Sequence, residues 1–119
     1  MKRYSGVIFL SVILLSVLCM LSVSQAANTI KVGIVDTYTG PATTFTNDVL
    51  DGFKLAVERI NAQGGILGKK VEYTTRDEKF KPDIGLAMAK ELILKEKVDI
   101  LMGTINSATT LAISDFVKK

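Results

Sequence analysis

After Ile30 the spacing of apolar positions changes repeatedly along the chain, and each change predicts an element. Ile30-Lys31-Val32-Gly33-Ile34-Val35 is short, β-branched and flanked by polar residues, the pattern of a strand. Asp36 to Thr46 (DTYTGPATTFT) centres on Gly40-Pro41 and predicts a loop. From Asn47 the period becomes helical: Val49, Phe53, Val57 and Ile60 recur at spacings of four, four and three, with Ala56 on the same face. Gly64-Gly65 is the expected stop, because a residue of positive φ can close the last turn. After the turn ILGKK, the alternation of Val71 to Arg76 predicts a second strand, ending near Asp77-Glu78. Pro82 opens a second helix, where its missing N–H costs nothing and Asp83 suits the positive helix end. Ile84, Met88 and Leu92 supply that helix's buried face. Val98 to Met102 reads as a third strand, and a third helix runs from about Ser107 to Val117 with Leu111 and Phe116 inward.

The order β-α-β-α-β-α, with crossovers of helical length, predicts an α/β fold: an open parallel doubly wound sheet with helices on both faces. If the strand order is 2-1-3, the winding reverses between strands one and three, and ligands sit outside the carboxyl ends of those two strands. Those ends are Asp36–Thr46 and Gly103–Ser107, the two most hydroxyl-rich loops of the chain.

The segment before Ile30 has a different character. Met1-Lys2-Arg3 is basic, Val7 to Val23 is uncharged and apolar apart from three serines, and Ser24-Gln25-Ala26-Ala27 is small or polar. This succession predicts a secretory signal over 1–26, cut between Ala26 and Ala27, with the mature region over 27–119. An uncleaved anchor over Val7–Val23 is the competing expectation, since the run approaches the roughly 18 residues that span a bilayer. Leu18 precedes Cys19 where lipidation would want a small residue. Without Lys2 and Arg3, 15 basic residues become 13 against 12 acidic ones, a net charge of +1 with no basic patch. Nucleic acid is therefore not an expected partner. Past Ala26 there is neither cysteine nor histidine, which removes disulfides, thiolate nucleophiles, imidazole bases and most transition-metal sites.

Catalytic patterns are poorly supported. The first βα loop lacks Gly-x-Gly-x-x-Gly, no phosphate-cradling Gly-Lys loop exists, and Ser107 has no base. Asp36 at the end of strand one has no partner carboxylate at the end of strand three, so no metal site is expected. No catalytic residue and no cofactor are assigned. A binding crevice fits better, with candidate ligand-binding residues Ser107, Asn106, Phe45 and Tyr38. Asn106 and Ser107 stand where the third helix begins, so they either cap it or also receive a ligand carboxylate beside its free amides. Phe45 is either a pocket wall or a hydrophobic staple against Leu50 or Phe53. Tyr38 either lines the crevice or covers it.

The stretches IKVGIVDTYTGPATTF, GFKLAVERINAQGGILGKKVEYTTRDE and VDILMGTINSATTLA together resemble the periplasmic branched-chain amino acid (Leu/Ile/Val) binding family of ABC transporters, which are type I periplasmic binding proteins. The resemblance runs from about Ile30 to the end of the chain. It implies the incomplete N-terminal lobe of a two-lobed periplasmic protein that closes on an amino acid, amide or aromatic acid and delivers it to an ABC permease in the membrane. It also implies that Ser107 binds the ligand carboxylate and that Phe45 lines the pocket. In some relatives a cysteine at the position of Asn106 is bridged to one at the position of Phe80; here both are absent. The chain departs from the family pattern at Asp36, often a small residue, at Tyr38, often Leu or Met, at Thr46, often glycine, and at Asn106, a cysteine in some relatives. Two other functions fit the same residues: a ligand-sensing ectodomain of an anchored receptor, and an amide hydrolase on the same fold.

Overall fold

The computed structural model of the chain describes residues 29–118. The predicted signal over 1–26, with Cys19 and the Val7–Val23 run, lies outside the described residues. Three parallel strands, β1 (Thr29–Asp36), β2 (Lys70–Asp77) and β3 (Ile100–Met102), alternate with helices α1 (Thr43–Ala62), α2 (Pro82–Leu94) and α3 (Ser107–Val117). The sheet order is β2-β1-β3, so the winding does reverse between β1 and β3.

β1 is the central strand, and from Val32 to Asp36 every residue is buried. Such a strand reads as a near-continuous apolar run because helices cover both of its faces. On one face Val32, Ile34 and Val71 pack under Val57, with Leu50, Phe53, Ile60 and Met102 around them. Phe53 and Tyr73 meet edge to face with ring centroids 5.4 Å apart. On the other face Val35 packs on Ala89 and Leu92, flanked by Met88, Val98, Leu101 and Ile113. Gly33 provides room there, since a Cβ at this position would meet Leu92 at 3.0 Å and Val98 at 3.2 Å.

The first two strands are a residue or so longer than expected, and two elements start two or more residues away from expectation. α1 begins at Thr43, inside the expected loop, because Thr43 already turns back on Gly40: both its N–H and its hydroxyl donate to the Gly40 carbonyl. β3 begins at Ile100 rather than Val98. Asp99 continues the pairing in another way, its N–H donating to the Lys31 carbonyl at 2.8 Å while its Oδ2 accepts from the Lys31 N–H at 2.8 Å. The α1 stop is as expected. Gly64 and Gly65 have positive φ, and the Gly65 N–H donates to the Ile60 carbonyl across the end of the helix. Asn61 then ties this end to β2, donating to the Val71 carbonyl and accepting from the Val71 N–H.

Three residues expected in the core are not there. Val49 is 61% exposed, Ala56 is exposed, and Leu111 is 67% exposed. The inward face of α1 is Thr46, Leu50, Phe53, Val57 and Ile60, a row displaced by one residue from Val49. On α3 the inward residues include Thr109 and Ile113, and Phe116 faces α2, where Lys90 Nζ lies 5.2 Å from its ring centroid.

Candidate functional site

At the carboxyl end of the sheet, the chain leaving β1, the start of α1 and the chain leaving β3 enclose an open crevice of about 270 Å³. Its walls are Asp36, Phe45, Thr46, Val49, Gly103, Thr104 and Ile105. This is the place a doubly wound sheet of order 2-1-3 leaves for a ligand. A larger hollow of about 450 Å³ involves Lys31, Glu72 and Lys95, toward the opposite end of the strands and away from the α1 and α3 N-termini.

Two buried carboxyl groups hold the crevice walls in place. Asp36, 7% exposed, accepts from the N–H of its neighbour Thr37 and from the N–H of Ile105, each at 2.9 Å through Oδ1. It thereby pins the β3–α3 loop to the end of β1. Glu78 is fully buried, and its Oε1 accepts from Thr37 Oγ1 at 2.9 Å and from Thr104 Oγ1 at 2.6 Å. Thr104 Oγ1 in turn accepts from the Asn106 N–H at 3.1 Å. Thr46 is 2% exposed, and its hydroxyl donates to the Thr37 carbonyl, locking the first turn of α1 to the β1 exit.

Asp77 organises the outer part of the first loop. It accepts from the Tyr38 N–H at 2.9 Å, the Thr39 hydroxyl at 2.7 Å and the Lys79 N–H at 2.9 Å. Burial pushes its carboxyl up, but hydrogen bonds from the Thr39 hydroxyl and from the amides of Lys79, Tyr38 and Thr39 outweigh it and hold the group below its ordinary value. Burial pushes the Tyr38 phenol up to about 12, helped by the negative charges of Asp36 and Asp77.

The four residues singled out in the sequence have different placements. Phe45 is 67% exposed and stands on the crevice wall. Because α1 begins at Thr43, Phe45 lies inside the first turn rather than ahead of it, so it does not occupy the position of a staple. Asn106 is 8% exposed and caps α3, its side-chain oxygen accepting from Ala108 N at 3.0 Å and Thr109 N at 3.5 Å. Ser107 is the first residue of α3, exposed, two positions beyond the crevice residue Ile105; the capping bonds belong to Asn106 and not to it. Tyr38 is half-buried beside Asp36 and Asp77, flanking the crevice rather than walling it.

Val49, Thr104, Ile105 and Glu78 were missed as site residues. The signal for Val49 was its spacing of four from Phe45, which sets both on one helix face. Thr104 lay within the hydroxyl-rich GTINS run. Among the described residues no group of three or more His, Cys, Asp or Glu side chains is arranged to hold a metal ion.

Residues 29–119 match the periplasmic binding protein family. A Leu/Ile/Val-binding protein of Rhizobium johnstonii is 30% identical over 86 residues, covering 72% of this chain and 23% of that protein. The leucine-specific-binding protein of Salmonella typhimurium is 30% identical over 115 residues, covering 97% of this chain and 30% of its own length. Among solved structures, the branched-chain amino acid transporter substrate binding protein of Streptococcus pneumoniae, in complex with isoleucine, is 31% identical. It aligns with a TM-score of 0.70 over 76% of this chain and 26% of that one. A solute binding protein of an ABC transporter from R. palustris, in complex with benzoate, is 25% identical with a TM-score of 0.67, over 75% and 24% of the two chains. The chain thus spans about a quarter of the length of the relatives it matches. With the sheet order, the crevice at the β1–β3 reversal and this match over all three strands, the chain belongs to the periplasmic binding protein family.

Proposed function

We propose that this chain contributes one wall of the binding site in an extracytoplasmic solute-binding component of an ABC transporter. The solute is an amino acid or a similar small carboxylate or amide, which the protein captures without chemical change and hands to a membrane permease. The observation that carries this reading is the crevice at the β1–β3 reversal, with Phe45 on its wall and the capped start of α3 beside it. Ser107, exposed at the positive start of α3 and outside the capping bonds that Asn106 makes, can donate to a carboxylate, while Phe45 and Val49 cover an apolar portion. The names of the relatives, which bind leucine, isoleucine and valine or benzoate, support a solute of this size. In this reading residues 1–26 are a cleaved secretory signal and the protein works in the periplasm.

The test is a thermal-shift screen of amino acids, amides and aromatic acids against the protein as the cell produces it. A solute present at 100 times its Kd stabilises the folded state by about 2.7 kcal/mol, a readily measured shift. Absence of any shift across the panel overturns the reading. Turnover of an amide, lost in Ser107→Ala, would replace it with the hydrolase alternative. N-terminal sequencing separates release from anchoring: a chain starting at Ala27 is exported and cut, and one retaining Met1 is anchored.

A further inference from the structure

The crevice wall carries a single ionisable side chain, Asp36, among apolar, glycine and threonine neighbours. Both threonine hydroxyls turn their protons away from the space, Thr46 toward the Thr37 carbonyl and Thr104 toward Glu78. No lysine or arginine lines it. Asp36 itself is more than nine-tenths buried. Its Oδ1 takes both of its hydrogen bonds, from the Thr37 and Ile105 amides, and Oδ2 has no donor among the described residues. Asp36 Oδ2 is not among the fully enclosed unpartnered side-chain atoms, so water reaches it. A ligand that displaces this water without offering a donor strands a carboxylate oxygen, and a ligand donor avoids that cost. A ligand carboxylate in the same place would meet a like charge with no cation to offset it.

We infer that Asp36 Oδ2 is a specificity-determining ligand contact, and that the captured solute carries an N–H donor, an amide or ammonium, on the part lying against Phe45 and Val49. This rests on the solute-binding reading and narrows it. The solute has a carboxylate that suits the α3 N-terminus and, at its other end, a hydrogen-bond donor rather than a purely aliphatic or acidic group. Asp36 thus has two tasks in one side chain: Oδ1 fixes the loop geometry and Oδ2 reads the ligand.

The experiment is calorimetry on the protein as the cell produces it, stripped of bound solute, with two near-isosteric sets. These are leucine, asparagine and aspartate, and methionine, glutamine and glutamate. The amide member of at least one set is expected to bind about tenfold or more tightly than its aliphatic counterpart, with the acidic member weakest. Asp36→Asn keeps an acceptor for the Thr37 and Ile105 amides and sets a donor where Oδ2 stands. It should therefore raise the affinity for the acidic member and lower that for the amide. Tighter binding of leucine and methionine than of their amides by the wild-type protein overturns the inference without recourse to any variant. An unchanged ranking in a folded Asp36→Asn protein does the same, leaving Asp36 only its loop-tying role. If none of the six binds while a solute of the wider panel without an amide or ammonium at the end remote from its carboxylate does, the inference fails and the solute-binding reading stands; a bound solute with such a terminal donor supports it. If nothing in the panel binds, that reading fails, and the inference with it.

Discussion

Thr104 Oγ1 donates to Glu78 Oε1 at 2.6 Å, joining the exit of β3 to the exit of β2 across the end of the central strand. Thr37 donates to the same oxygen, so one buried carboxyl gathers all three strand ends. Glu78 Oε2 is buried without a partner among the described residues. Replacing Glu78 by Ala strands two hydroxyls and opens a cavity, and should lower stability by on the order of 3 kcal/mol. Glu78→Gln retains the shared acceptor and should stay within about 1 kcal/mol of wild type. Chemical denaturation of both variants decides: equal losses would mean that the shared acceptor does not hold the strand ends.

Asn106 and Ser107 separate capping from ligand binding. Asn106 makes the capping bonds of α3, so Asn106→Ala should cost about 1 kcal/mol of stability, and Asn106→Asp should recover most of it. Ser107 makes none of them. Ser107→Ala should leave the unfolding midpoint near wild type but weaken ligand binding by on the order of 1.5–3 kcal/mol, the worth of a charge-assisted hydrogen bond. A Ser107→Ala protein that loses stability and keeps its affinity would assign Ser107 to the helix and remove it from the site.

The parallel α/β class was readable from the pattern, because a strand buried on both faces and helical crossovers leave few arrangements, whereas the order 2-1-3, and with it the position of the crevice, was an assumption that the sheet bears out. The inward face of α1 was not readable. Val49 and Leu50 are adjacent, about 100° apart around the helix, and periodicity counts an apolar residue without knowing whether it meets the core or a crevice. Leu50 packs in the core, while Val49 stands beside Phe45 on the crevice wall. Glu78 was illegible for another reason. A glutamate after an aspartate at a strand end looks like a solvated turn, since an unpaired one is almost never buried. It can be buried here only because Thr37 and Thr104, remote from it in sequence, supply donors.

Asp77 and Tyr38 give stability opposite pH limits. The Asp77 carboxyl is held below its ordinary 3.8, so its contribution is present above that value and lost as pH falls through the lower folded value. The Tyr38 phenol is raised from 10.0 to about 12, so its contribution is present below 10 and lost as pH rises toward 12. Asp77→Asn should flatten the acid limb of a stability–pH curve, and Tyr38→Phe the alkaline limb. In an absorbance titration the late-ionising tyrosine should vanish in Tyr38→Phe. If the variant's tyrosines titrate as the wild-type ones do, the Tyr38 phenol is not the buried, late-ionising group beside Asp36 and Asp77.

Gly103 is where β3 turns out toward the crevice, and its geometry makes the sharpest stability prediction. Its φ is +108°, and a Cβ there would lie 1.9 Å from the Val35 carbonyl oxygen, a backbone atom that cannot rotate away. Gly103→Ala should therefore destabilise by at least about 3 kcal/mol, or force the β3–α3 loop off the end of β1. Ile105 and Thr104 would move with it, so ligand affinity should fall as well. Gly52 is the matched control. It lies within α1, exposed, with nothing within 4 Å of its added Cβ, and Gly52→Ala should instead stabilise by about 0.5–1 kcal/mol. Thermal and denaturant midpoints of the two variants should move in opposite directions, and a Gly103→Ala protein as stable as wild type would refute the close approach of this turn to β1.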